Sequence, residues 1–322
     1  MNRIHEVTAT ITQVKVPLPF PLRWVNSYVI REGDGITVID PGLHTPDSVA
    51  VWQEAMAGLG FGFRDVQQIV LTHHHPDHYG LAGWLQAESG APVYLSEQGI
   101  RQAALLWSDQ RTMTDGLHAL FLQHGMDAET GKQLQENMES FVPMVSPQPD
   151  LLTLPEEGTI RLGAAEYRIL HTPGHALGHL CFLDERAGRI FCGDHVLPSI
   201  SPNVSLMPGL EVNPLASFLE SLQEVSALRV TEALPGHRDP FAQFSERALE
   251  LIRHHEERLA LMRSRLSVPM TAYALCRDIF GHRLTLHQLR FAMAETLAHV
   301  VYLESEGLIT ASEQDGQFVY RS

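Results

Sequence analysis

Lysine is nearly absent from this chain. Lys15 and Lys132 are the only two, so arginine supplies 21 of the 23 basic residues, against 38 acidic ones. The resulting formal charge of −15 repels phosphate backbones and anionic lipid surfaces, so nucleic acid is not an expected partner. Cysteine is scarce too. Cys181, Cys192 and Cys276 have no C-x-x-C spacing, which excludes a disulfide framework and a cysteine zinc knuckle and suits a reducing, cytoplasmic setting. No apolar run reaches the roughly 18 residues of a membrane span. The N-terminus carries Glu6 where a signal peptide needs positive charge, so no membrane partner is expected. A Gly-x-Ser-x-Gly elbow is also missing, which argues against a serine hydrolase. What remains is an ordinary globular composition, 44% hydrophobic over 322 residues, enough for about two domains at roughly 150 residues each. The residue in excess is histidine, 18 in all, and the histidines cluster.

Periodicity predicts strands over 7–16 and 27–40 joined by an apolar loop holding Leu18, Phe20, Leu22 and Trp24. A helix is expected over 45–59, started by Pro46-Asp47-Ser48 and stopped by Gly60. A short buried strand at 68–72, a helix over about 80–88 and a strand at 92–95 continue the alternation of a layered α/β fold. Residues 96–147 show only helical spacing (99–107, 113–124, 128–144) and read as a helical insertion. Strands return at 167–171, 180–183 and 189–192, followed by helix 215–226, strand 232–234 and a long helix 245–265. After Ser267-Val268-Pro269 the texture changes to helix, helix and β-hairpin within about 55 residues, the winged-helix pattern.

The chemistry sits at strand ends. Thr72-His73-His74-His75-Pro76-Asp77-His78 places H-x-H-x-D-H directly after an apolar strand. Alternation can aim His73 and His75 at one point, while Asp77 and His78, beyond the proline, reach a second one. Imidazole with carboxylate is the donor set that a borderline divalent ion such as zinc prefers. His175 in Pro-Gly-His, Asp194 in Gly-Asp and His237 in Pro-Gly-His each follow a predicted strand beside a glycine that permits close backbone approach. Five histidines and two aspartates can thus supply two adjacent metal positions.

With Asp40 in Val-Ile-Asp-Pro-Gly, the His73–His78 cluster, His175, Asp194 and His237 in this order, the sequence resembles the metallo-β-lactamase superfamily over residues 1 to about 245. The resemblance implies an α/β fold: an αββα sandwich with a helical insertion at about 96–147 and a small C-terminal winged-helix domain. The expected division is a hydrolase domain over 1–245, then a linking helix and winged helix over 246–322. It also implies one metal held by His73, His75 and His175 and another by Asp77, His78 and His237, with Asp194 bridging and Asp40 orienting ligands. In the tail, Thr271-Ala272-Tyr273-Ala274 and Ala294–His299 look like the winged-helix domain of one branch. Gly193–Pro198 and Ser201-Pro202-Asn203 strengthen that likeness.

Two divalent ions, zinc first with iron or manganese as alternatives, would hold a bridging hydroxide formed from water and polarise the substrate oxygen. Asp194 and Asp77 are the catalytic candidates, Asp77 also as a proton shuttle. Phe20, Trp24, Leu105, Trp107, Leu120 and Phe121 are candidate cleft walls, suiting an acyl substrate. His179 and His195 lie near the ligands, His74 points away, and Tyr79 either lines the site or packs. The expected reaction is hydrolysis of an ester, thioester or lactone-like small molecule. A phosphodiesterase or endoribonuclease with the same metal site is the first alternative; against it, residues 268–322 carry four arginines and six acids, a net −2, whereas a winged helix that reads nucleic acid needs a basic face. The tail is therefore expected to pack on the hydrolase or, in a homodimer, on a second subunit. A persulfide dioxygenase with one iron on His73, His175 and Asp194 is the other alternative.

Overall fold

The computed structural model describes residues 3–33, 35–109 and 111–322. The chain runs β1 (Ile4–Glu6), β2 (Ile11–Pro17), β3 (Trp24–Glu32), β4 (Gly35–Ile39), α1 (Pro46–Leu59), β5 (Val66–Val70), α2 (Pro76–Tyr79), α3 (Ala82–Ser89), β6 (Val93–Ser96), α4 (Glu97–Trp107), α5 (Met113–Gln123), α6 (Ala128–Glu139) and β7 (Leu151–Leu154). It continues through β8 (Gly158–Leu162), β9 (Ala165–His171), β10 (Leu180–Asp184), β11 (Arg189–Gly193), α7 (Pro214–Ser226), β12 (Glu232–Pro235), α8 (Phe244–Arg265), α9 (Ala272–Phe280), α10 (Leu286–Ser305), β13 (Thr310–Gln314) and β14 (Gln317–Arg321).

Among the described residues, β1 to β7 form a seven-stranded sheet in sequence order, and β12-β11-β10-β9-β8 a five-stranded one. Period-two alternation sorts their side chains. Tyr28, Ile30, Ile39 and Val70 of the first sheet meet Leu180, Phe182, Phe191 and Leu234 of the second in a core between the sheets. The intervening Val29, Val38, Cys181 and Cys192 turn outward to helices that include Trp52 and Met56 of α1 and Phe218 and Leu222 of α7. The result is the αββα sandwich. In α1 the Thr45 side chain accepts the Ser48 N–H at 3.2 Å, Pro46 occupies the first turn, and Gly60 ends the helix at φ 76°, a left-handed cap that glycine adopts without strain.

Several elements differ from the sequence expectation. The stretch 27–40 is two antiparallel strands, with Tyr28 paired to Ile39; Gly33-Asp34-Gly35 in its middle is a turn signal that the β-branched residues on both sides outweighed in the sequence expectation. The helix expected over 128–144 stops at Glu139 and a 3-10 turn follows at Val142–Val145, because Pro143 lacks an N–H and disfavours helical backbone before it. Strand β7, between Pro149 and Pro155, has no counterpart in the sequence expectation; it closes the parallel edge beside β6.

The tail contains α9, α10 and the β13–β14 hairpin, whose turn residues Asp315 and Gly316 both have positive φ (51° and 78°), as a two-residue hairpin turn demands. Helix α8 crosses position 245 and packs on α7 of the sandwich as well as on α9 and α10, so the tail is joined to the sandwich by packing as well as by chain. No helix among the described residues is long and apolar enough to cross a membrane.

Candidate metal centre

Strand ends place the donors. Beyond β5, Thr72 is pinned by Asp40, whose Oδ1 accepts the Thr72 N–H at 2.7 Å and whose Oδ2 accepts its hydroxyl at 2.6 Å. His73 and His75 follow in extended backbone. Pro76 then opens the one-turn α2, where its missing N–H costs nothing, and carries Asp77 and His78 into place. His175 follows β9, Asp194 leaves β11 directly, and His237 comes two residues after β12. The Gly236 N–H donates to Gly193 at 2.7 Å, tying the last two segments together. A Cβ at Gly236 would lie 2.2 Å from Asp194 Oδ1 and 2.6 Å from His78 Cε1, so only glycine lets these donors converge.

The structure brings all seven candidate residues together. The donor atoms of His73, His75 and His175 lie within 4.8 Å of one another, as do those of Asp77, His78 and His237. Asp194 stands between the groups. Its Oδ2 is 3.7 Å from His175 Nε2 and 3.3 Å from His237 Nε2, and its Oδ1 is 3.5 Å from His78 Nε2. Asp77 Oδ2 is 3.2 Å from His237 Nε2 and 4.0 Å from His78 Nε2. Asp40 also lies near His73 and His78, but Thr72 and His78 Nδ1, at 2.9 Å, already occupy its oxygens. It is an anchor, held at φ 50°, a strained backbone for a non-glycine residue of the kind found at functional sites.

Hydrogen bonds fix which ring nitrogen faces inward. His78 Nδ1–H donates to Asp40, His175 Nδ1–H to the Asn203 carbonyl at 2.7 Å, and His237 Nδ1–H to the Trp24 carbonyl at 3.0 Å. The Thr72 hydroxyl spends its proton on Asp40, so it accepts from His73 Nδ1–H at 2.9 Å. In each ring Nε2 is left to face the centre. Nε2 of His73, His78 and His175 and Oδ1 of Asp194 are buried with no hydrogen-bond partner, an arrangement that is costly unless a cation satisfies it. The donor set fits divalent metal, and the outer hydrogen bonds are those that orient metal-bound imidazoles.

Electrostatics separates the groups. Burial, with neighbouring imidazoles, pushes His73 and His75 well below the usual histidine range, and burial lowers His175 as well; these rings are neutral. Burial also opposes charge on His237, but Asp194 and Asp77 outweigh it and lift its pKa to about 10. His78 is raised in the same way by Asp194 and Asp40. Against the cost of burial, His237 and His78 hold Asp194 well below the ordinary carboxylate range. The carboxylates thus demand positive charge at this spot.

The cluster floors a cavity of about 370 Å³. Phe20 and Trp107 line it as expected, joined by Leu22 of the 17–24 loop and by Leu106, Leu117 and Phe141 of the insertion. Trp24, Leu105, Leu120 and Phe121 do not: Trp24 contributes its carbonyl to His237, and Phe121 is 1% exposed in the core. Tyr79 packs, donating to Gln148 at 2.7 Å. His179 stands behind the centre, its Nε2 accepting the Asp194 N–H at 3.1 Å. The His74 carbonyl accepts the Trp107 indole N–H at 3.1 Å.

The tail contributes what sequence reasoning missed. His287, Gln288, Arg290, Phe291 and Ala294 of α10 form part of the cavity wall. Glu295, paired with Arg258, also accepts Asn203 Nδ2–H at 2.7 Å, and Asn203 is the residue whose carbonyl holds His175. The Leu206 N–H donates to Ala294 at 3.1 Å, so α10 carries the whole loop that steadies this donor. The only advance signal was Ser201-Pro202-Asn203, without an indication of its partner.

Residues 22–237 match the family described as the metallo-beta-lactamase superfamily, and residues 259–322 match its metallo-beta-lactamase-like C-terminal domain. A metallo-beta-lactamase family protein of Thermus thermophilus superposes with a TM-score of 0.87 at 34% identity, over 98% of this chain and 99% of that one. The probable metallo-hydrolase YqjP of Bacillus subtilis (strain 168) is 29% identical over 97% of this chain and 98% of its own length. An atrochrysone carboxyl ACP thioesterase of Passalora fulva is 23% identical over 98% and 81%. The chain therefore belongs to the metallo-beta-lactamase superfamily and carries that superfamily's C-terminal domain.

Proposed function

We propose that this metallo-hydrolase cleaves an acyl ester or thioester with two divalent ions, zinc in the first instance. His73, His75 and His175 would hold one ion and Asp77, His78 and His237 the other, with Asp194 shared. The observation that carries the reading is the pair of donor groups, with their unpartnered buried Nε2 atoms, on the floor of a cavity walled mostly by apolar side chains. When bound, such ions polarise a carbonyl oxygen and make water a nucleophile near neutral pH. The chain supplies the rest. Asp40 and the Asn203 and Trp24 carbonyls hold three rings in the tautomer that presents Nε2. Asp77, with its side chain partly exposed to the cavity, is placed to move a proton to the leaving group. Leu106, Leu117, Phe141 and Phe291 exclude water around an acyl chain. The thioesterase among the relatives supports the substrate class. Three free, buried cysteines support a reducing compartment such as the cytoplasm.

The test is a hydrolysis panel on metal-quantified protein, comparing acyl thioesters, aryl esters, lactones, a phosphodiester and single-stranded RNA, with Asp194→Ala as control. Two metal equivalents and Asp194-dependent carbonyl cleavage are expected. Dominant phosphodiester or RNA cleavage overturns the substrate class, and a single iron per chain overturns the dinuclear centre.

A further inference from the structure

Arg290 is the one arginine or lysine among the described residues lining the cavity, and it differs from the ion-paired, half-buried arginines of the chain; half-buried Arg238, whose Nε also lacks a partner, lies outside the cavity lining. Arg189 pairs with Glu232, Arg247 with Glu250 and Arg258 with Glu295. Among the described residues, Arg290 has no ion pair and no hydrogen bond, and its Nε is buried without a partner. Instead its guanidinium lies 4.3 Å from the Phe291 ring centroid and 5.5 Å from that of Phe141. Phe141 in turn stacks on Phe20 at 5.4 Å and on His287 at 5.7 Å. Three separate parts of the chain, the 17–24 loop, the helical insertion and α10, thus build an aromatic collar around one cation.

Stacking fixes the guanidinium plane but consumes none of its five N–H donors. A charge left in this state is normally matched by an anion, because an unpaired ion away from water is strongly disfavoured. Burial lowers the Arg290 pKa only to about 10, with Asp77 counteracting, so the group stays charged at neutral pH. Glu211, the one lining acid outside the donor cluster among the described residues, makes no ion pair with it, and burial raises its own pKa. The cavity therefore offers a fork of N–H donors that no side chain among the described residues fills.

Building on the acyl-hydrolase reading above, we propose that Arg290 receives an oxyanion of the substrate, set off from the scissile carbonyl, so that the enzyme selects anionic acyl esters or thioesters over neutral ones. Planar carboxylate matches the fork best, through two parallel N–H···O bonds. The anion can belong to the acyl group or to the leaving group; the chemistry at Arg290 is the same.

The test compares kcat/KM on metal-quantified full-length protein for 4-nitrophenyl acetate, for the 4-nitrophenyl monoester of glutaric acid (acyl-side carboxylate) and for 4-acetoxybenzoate (leaving-group carboxylate). At least a tenfold preference for one anionic ester is expected, and which one identifies the source. In Arg290→Gln the anionic-to-neutral ratio should fall toward one, chiefly through KM, and Arg290→Lys should retain an intermediate ratio because it keeps the charge without the fork. Should the glutamine variant fail to fold, the lysine variant alone decides. A ratio unchanged by either substitution, or no preference in the wild type, overturns the proposal. A calorimetric titration with glutarate against neutral glutaramide separates this from the parent reading. Glutarate binding at least tenfold weaker in Arg290→Gln upholds the anion site even if no ester is cleaved, and equal binding, or none, sinks it.

Discussion

The floor and the roof of the cavity are built on opposite principles. On the floor, the candidate donors sit on the short segments that follow strands, Asp77 and His78 on the one-turn α2, and the Nδ1 atoms of His73, His78, His175 and His237 are all committed to hydrogen bonds. On the roof, the 17–24 loop, the insertion and α10 meet through stacked rings around an unpaired guanidinium. The floor is over-determined, so it can fix a reaction type. The roof is held by adaptable apolar contacts, so it can change substrate without disturbing the donors beneath it.

Four measurements test that contrast. Asp194→Ala removes the carboxylate shared by both donor groups, and it should cost at least about a thousandfold in kcat, in line with several kcal/mol of lost stabilisation. Metal analysis should show fewer than two equivalents per chain; retention of both would deny Asp194 its place in the floor. Phe141→Ala empties a 4%-exposed position in the roof and should destabilise by about 3 kcal/mol, seen as a lower denaturation midpoint with metal content intact. Loss of metal here would mean that roof and floor are not separable.

Asp40→Asn keeps a residue type that tolerates positive φ while removing the charge that orients His78, and it should weaken metal affinity by about 10- to 100-fold in a competitive chelator titration. An unchanged affinity would show that Asp40 only props up the backbone. The smallest effect is pH-dependent. His255 of α8 donates to His299 of α10 at 3.0 Å, and burial lowers their pKa values to about 2 and about 3. The unfolded chain, with ordinary histidines, binds more protons than the folded one as pH falls below about 6.5. Stability is therefore full above that pH and declines beneath it, by about half to one kcal/mol for each histidine between pH 7 and 6. Hydrogen exchange should show α8 and α10 losing protection before β5 and β11; the reverse order would count against the contrast.

The floor was legible in the sequence because its information is local. His73, His75, Asp77 and His78 lie within six consecutive positions, and His175, Asp194 and His237 each sit beside a glycine after an apolar strand. The roof was not, because it rests on encounters between distant segments. Nothing near Phe141 announces His287, and Arg290 reads as one more exposed helix arginine in a tail with a net charge of −2. The same limit explains the wall residues that failed. Leu105, Leu120 and Phe121 lie in the insertion as expected, but they pack into or against the hydrophobic core, while Leu106, Leu117 and Phe141 line the cavity. The turn that divides 27–40 was legible as Gly33-Asp34-Gly35 but was outweighed by the β-branched residues on both sides, and β7 was obscured by its flanking prolines.

The link from Glu295 through Asn203 to His175 has a thermodynamic corollary. The helix that a substrate touches through Arg290 and Phe291 is the one whose next turn steadies a donor of the centre. Any change in substrate occupancy that shifts α10 must then alter metal affinity, and reciprocity requires metal occupancy to alter substrate affinity by the same factor. A slower loss of metal to chelator in the presence of a bound carboxylate would be the visible sign, and Glu295→Gln should diminish it. The tail would then act as the coupling between what the enzyme holds and what it cuts.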